Sequence, residues 1–138
     1  MRRSRAAALN IIPTSTGAVT MLAKVLPELS DVVTLHAIRV PVADVSLIDL
    51  TLLVKSELSV EAVHAALQKA AAGPLQGILG VSLEPLVSTD YCGSNYSVVV
   101  DGLLTNTHGT MVKLFGWYDN EWGYSQRLKD FLCYAATK

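Results

Sequence analysis

Apolar residues recur at helical spacing in three stretches of the chain, with denser, β-branched runs between them. Val19, Leu22, Ala23 and Leu26 form the first stripe. Thr14-Ser15-Thr16-Gly17 precedes it as a helix-start signal, and Pro27 closes it. Residues 32–40 and 45–54 are rich in β-branched side chains and are separated by Pro41-Val42-Ala43-Asp44, which predicts two strands joined by a tight connection. Ser59 then caps an amphipathic helix with Val60, Val63, Leu67 and Ala70 on one face, ended by Gly73-Pro74. Short strand-like pieces follow near 78–81, 87–89, 98–100 and 111–118, broken by Gly- and Asn-rich turns. Residues 125–136 predict a closing helix with Leu128, Phe131, Leu132 and Ala135 as its buried stripe. Strands that follow one another without helices predict a mixed, mostly antiparallel sheet, with helices packed on one face. The expected fold class is therefore α+β. No repeat, low-complexity tract or linker divides the chain, so one domain over 1–138 is expected.

Composition narrows this picture. With 51% hydrophobic and 17% charged residues in 138, the chain can bury a core, and disorder is excluded. A formal net charge of −1 offers no basic surplus for nucleic acid. No apolar run reaches the roughly 20 residues that cross a bilayer. The basic opening, Met-Arg-Arg-Ser-Arg, lacks a long apolar segment behind it and reads as an N-terminal arm, not a targeting signal. Cys92 and Cys133 are far apart and form no CxxC pair, which favours a reducing, cytoplasmic setting.

Two places could carry chemistry. A helix N-terminus behind Thr16-Gly17 offers unpaired N–H groups, and glycine lets a ligand approach the backbone. Arg3, Arg5 and Arg39 could add forked donors suited to phosphate. The same residues also read as a capped helix with surface arginines. Asp119-Asn120-Glu121-Trp122-Gly123-Tyr124 lies between a strand and the last helix. It reads either as an Asx turn with a helix cap or as a loop whose Asn120 offers donor and acceptor to an amide ligand. His36, His64 and His108 are scattered, which argues against a metal site. No glycine-rich dinucleotide fingerprint is present.

Four blocks, in order, carry a resemblance that spans nearly the whole chain. They are the stretch from Ala6-Ala7-Ala8 through Ile12-Pro13-Thr14-Ser15-Thr16-Gly17-Ala18, Arg39-Val40-Pro41 with Val45-Ser46 and Asp49-Leu50, Leu86-Val87-Ser88-Thr89-Asp90, and Trp117-Tyr118-Asp119-Asn120-Glu121-Trp122-Gly123-Tyr124-Ser125. Together they resemble the C-terminal domain of phosphorylating glyceraldehyde-3-phosphate dehydrogenases. The resemblance implies that Thr16 and Gly17 bind the attacking inorganic phosphate, that Arg39 is shared between two anion sites, and that Arg3 helps hold the substrate's phosphate. It further implies that Asn120 bonds the nicotinamide carboxamide of NAD, with Tyr124 in support, and that Arg5 is structural. The implied substrate is a phosphorylated sugar aldehyde, and the implied assembly is a homo-oligomer. Erythrose-4-phosphate dehydrogenase, a sister enzyme, shares the pattern.

The family's nucleophilic cysteine and its histidine base fall outside the matching blocks. Cys92, in Tyr-Cys-Gly-Ser, does not fit the nucleophile's motif, and Cys133 is expected as a buried structural thiol within the last helix. No catalytic residue is therefore expected here, and the chain alone is expected to be inactive. A non-enzymatic fragment that binds anions or joins full-length subunits is the alternative, and exposed apolar surface is expected to remain. Val42-Ala43-Asp44 stands where the family has Thr-Pro-Asn. Asp44 would compete with phosphate if it paired with Arg39.

Overall fold

The computed structural model describes residues 2–138, which fall into two compact units, one up to Ala43 and the other Asp44–Lys138. The first is small. Strands β1 (Ile12–Thr14) and β2 (Ala37–Arg39) pair antiparallel, Ile12 opposite Arg39 and Thr14 opposite Ala37. Helix α1 (Ala18–Val25) follows β1, and Leu26 turns its N–H back to the Leu22 carbonyl before Pro27 stops the helix. Ile12 is the unit's one buried apolar side chain among the described residues.

The strand expected over 32–40 shrinks to three residues. Val32 and Val33 both donate their N–H groups to the Leu29 carbonyl, which commits them to a turn. The short connection that follows joins β2 to a strand of a different sheet, because β2 pairs with β1, a strand the apolar pattern did not predict.

The second unit is an α+β layer. Its elements are β3 (Ser46–Leu53), α2 (Val60–Ala72), β4 (Leu79–Ser82), β5 (Val98–Asp101), β6 (Asn106–His108), β7 (Met111–Tyr118) and α3 (Asn120–Ala136). The strand order is β3-β7-β5-β4, with β6 also on β7. β4 and β5 are parallel, and the other pairs are antiparallel. A tight turn at Gly109, with φ of 56°, joins β6 to β7.

Residues alternate across this sheet. Ile48, Leu50, Val98, Val100 and Leu114 line one apolar groove of about 420 Å³, which Leu67 of α2 also borders. Ser59 caps α2 by accepting from the Ala62 N–H at 3.2 Å, and Val63 is buried beneath the helix. Gly116 must lack a side chain, because a Cβ there would lie 2.6 Å from Val98 and 3.0 Å from Ile48.

Three expectations for this unit change. Residues 87–89 are not a strand: the Asp90 carboxylate accepts from the Val87 N–H at 2.8 Å and winds Ser88–Tyr91 into a 3-10 turn. The last helix begins at Asn120, five residues early, because Asp119 caps it. Its expected buried stripe is exposed, with Leu128 at 47%, Phe131 at 63% and Leu132 at 61%, and Cys133 is exposed as well. No helix among the described residues is long and apolar enough to cross a membrane.

Candidate functional site

Arg3 anchors the first candidate region. Its Nε donates to the Thr14 hydroxyl at 2.6 Å, and Nη2 donates to the Ser15 carbonyl at 2.8 Å. The guanidinium thus braces the end of β1 where the chain turns into α1. Thr16, half-buried, accepts from the Ala18 N–H at 3.1 Å and takes up one orphan donor of the helix start. Gly17 is the residue before the helix, and among the described residues no atom beyond its chain neighbours lies within 4 Å of where its Cβ would stand. The N–H groups of Val19 and Thr20, in the first turn, have no intrahelical acceptor. Arg39 is exposed at the opposite end of the short ladder from Thr14. Arg2 and Arg5 do not join this group. With Asn10 they border a cavity of about 520 Å³ beside Ile11, Ile12 and Pro13.

The second region is the junction of β7 and α3. Asp119, only 4% exposed, accepts from the Trp122 N–H through Oδ1 and from the Gly93 N–H through Oδ2, both at 2.8 Å. One carboxylate thereby caps α3 and ties a distant loop to it. Asn120 opens the helix. The Ser46 hydroxyl donates to its Oδ1 at 2.6 Å, and its Nδ2 donates to Glu121 Oε2 at 3.2 Å. Tyr124 follows one turn later, on the same helix face, with an exposed phenol and no hydrogen bond to Asn120 among the described residues. Ser46 and Glu121 had no role in the sequence reading. Only the register of β3 on β7, which puts Ser46 opposite Tyr118, brings the hydroxyl to Asn120.

The loop between β4 and β5 backs this junction. The Tyr91 ring stacks on Trp117 with centroids 5.6 Å apart, and the Trp122 indole donates to Asn95 Oδ1 at 2.8 Å. Trp117 donates to Asp101 Oδ2 at 3.1 Å, while Asp101 Oδ1 and the Tyr91 hydroxyl are buried without a partner among the described residues. Burial pushes the Tyr91 phenol above its ordinary value. Ser82 lies near enough to offset part of the rise, though not in hydrogen-bonding geometry, and Asp101, Asp90 and Glu84 add to it.

Just ahead of Ser46, Val45 has φ of 68°, a strained setting for a β-branched residue, and its N–H donates to Asp44 Oδ1 at 2.7 Å. Carboxylate oxygens of Asp44, Asp119 and Glu121 lie within 4.8 Å of one another. Each of these three residues already accepts a hydrogen bond, Asp44 in the turn, Asp119 as the cap of α3 and Glu121 from the Asn120 amide. Cys92 and Cys133 are exposed free thiols, and His36 and His108 are exposed. His64 keeps a buried Nε2 without a partner among the described residues. The structure gathers none of these five into a group.

Similarity to known proteins gives the family. The family model for the C-terminal domain of glyceraldehyde 3-phosphate dehydrogenase matches residues 1–120. Glyceraldehyde-3-phosphate dehydrogenase 1 of Bacillus cereus is 52% identical over 139 residues, covering 100% of this chain and 42% of its own length. The Bacillus subtilis glyceraldehyde-3-phosphate dehydrogenase 1 is 53% identical, over 99% of this chain and 41% of its own. The chloroplastic glyceraldehyde-3-phosphate dehydrogenase B of Pisum sativum is 51% identical, over 100% and 31% respectively. The chain thus spans about two fifths of the length of its bacterial relatives and less of the plant one. With most of its length matched by that model, the chain belongs to the glyceraldehyde 3-phosphate dehydrogenase family, through the family's C-terminal domain.

Proposed function

We propose that the chain is the substrate-side part of an NAD-dependent, phosphorylating glyceraldehyde-3-phosphate dehydrogenase, with 1–138 belonging to one domain of it. The reaction is the glycolytic oxidation of glyceraldehyde 3-phosphate with inorganic phosphate to 1,3-bisphosphoglycerate. The observation that carries this reading is the brace made by Arg3, which fixes the turn ahead of Thr16 and Gly17 while the space above Gly17 stays open. A helix start with free N–H groups, a hydroxyl and the Arg3 guanidinium beside it suits a multiply charged phosphate. Thr16 and Gly17 take inorganic phosphate, Arg3 helps hold the phosphate of the substrate, and Arg39 serves both anions.

Asn120 fits a nicotinamide carboxamide. One N–H of its Nδ2 goes to Glu121, which leaves the second N–H and one Oδ1 lone pair for a ligand. Tyr124 flanks that face. NAD, when bound, supplies the hydride acceptor, and the role of this chain is to hold the ring by its amide and the substrate by its phosphate. The assembled enzyme is a homo-oligomer. The 138 residues alone do not oxidise substrate, since neither cysteine fits the nucleophile's motif.

Calorimetric titration of inorganic phosphate into the purified chain tests the anion site. Thr16→Val and Arg39→Ala are each expected to weaken binding by about tenfold, the size of one charge-assisted hydrogen bond. Unchanged affinity in both variants rejects the assignment. The same chain, given NAD, phosphate and glyceraldehyde 3-phosphate, is expected to produce no NADH absorbance.

A further inference from the structure

An asparagine amide has two nearly identical ends, and shape alone does not decide which one faces outward. At Asn120 the neighbours decide. The Glu121 carboxylate can only accept, so it admits the Nδ2 end. Oδ1 is then turned towards β3, where the Ser46 hydroxyl donates to it at 2.6 Å. Reversing the amide would set its oxygen against the Glu121 carboxylate. Ser46 is half-buried at the first position of a strand paired along its whole length with β7, so its hydroxyl is delivered by the sheet, not by a loop.

We propose that Ser46 is a positioning residue that acts with Glu121 to lock the Asn120 amide in one orientation, presenting its free N–H to a carboxamide ligand. The inference rests on the reading of Asn120 as the nicotinamide contact, and deepens it by naming what orients that contact. Ser46 itself touches no ligand. Without its hydroxyl, Oδ1 loses its partner and the amide is held at one end only. Threonine keeps the hydroxyl, so Ser46→Thr should keep the lock.

The test uses the full chain labelled with 15N, and nicotinamide mononucleotide as the probe. Side-chain relaxation of Asn120 Nδ2 reports the lock, and the probe titration reports its use. In wild type and Ser46→Thr, Nδ2 is expected to be ordered. In Ser46→Ala its order should fall, with probe affinity lowered about fivefold, the size of one neutral hydrogen bond. Backbone signals away from β3 and α3 should stay in place, which separates a lost lock from a lost fold. Glu121→Gln should lower Nδ2 order as well, because glutamine admits either end of the amide. Equal Nδ2 order in wild type and Ser46→Ala overturns the proposal, as does failure of Ser46→Thr to restore it. Asn120→Ala separates the two readings. If it leaves probe affinity unchanged while Ser46→Ala still frees Nδ2, the nicotinamide assignment fails and the lock remains. If it weakens binding and Ser46→Ala does not, the assignment stands and the lock fails.

Discussion

The two candidate regions are built by opposite means. At the β7–α3 junction, a nearly buried carboxylate, a stacked pair of aromatic rings, an indole bond to Asn95 and a hydroxyl from β3 converge on a few residues. At the β1–α1 turn, one exposed arginine and the hydroxyls of Thr14 and Thr16 hold the geometry, over a ladder three residues long. On the proposed reading the first region orients a flat ring, which gains from rigidity. A phosphate, being nearly symmetric, needs charge and open N–H groups more than a fixed angle. The contrast implies that the first region should fail through stability and the second through affinity.

The largest effect expected from that contrast is at Asp119. Asp119→Ala removes a helix cap and strands the Gly93 N–H at once, which should cost about 2–3 kcal/mol in urea unfolding. A loss as small as that of a surface residue would erase the distinction. Arg3→Ala should show the reverse profile, with phosphate affinity down about tenfold and the unfolding midpoint of the second unit unmoved.

Tyr91→Phe sharpens the first half of the comparison. Its hydroxyl is buried without a partner, so removing it should change stability by less than about 1 kcal/mol at neutral pH. The folded phenol titrates above its unfolded value, so its contribution is intact below that value and is lost as pH rises through the folded one. Wild type should therefore weaken above about pH 10 more steeply than Tyr91→Phe.

Leu132→Ser is expected to do least to stability, within about 0.5 kcal/mol, because the side chain is 61% exposed. Its effect should appear in sedimentation, as weaker self-association of the chain.

Local pattern made some of this legible. β7 matches its expected bounds, and α2 runs from its Ser59 cap to Gly73 as read, because in both the apolar period and the end signals agree. The start of α3 was hidden by Gly123, which looks like a turn residue. The helix keeps a glycine there because a Cβ would sit 3.1 Å from the Tyr96 carbonyl oxygen, a tertiary contact with no local sign. The stripe of α3 was legible as a stripe, but its period carries no information on whether anything covers it. Asn120 was visible through family resemblance and Arg3 likewise, while Ser46 was not. Its part depends on strand register, which is settled by residues far along the chain.

That dependence also has a temporal side. The Ser46–Asn120 bond joins residues 74 apart in sequence, and among the described residues β3 pairs with β7 alone. During synthesis, Ser46 leaves the ribosome long before the residue it orients exists. Contacts of such separation form slowly, after local helices such as α2. An order signal at the Asn120 side chain would thus mark the end of folding, and a chain stalled before β7 docks would carry an orphan β3 open to pairing with its neighbours.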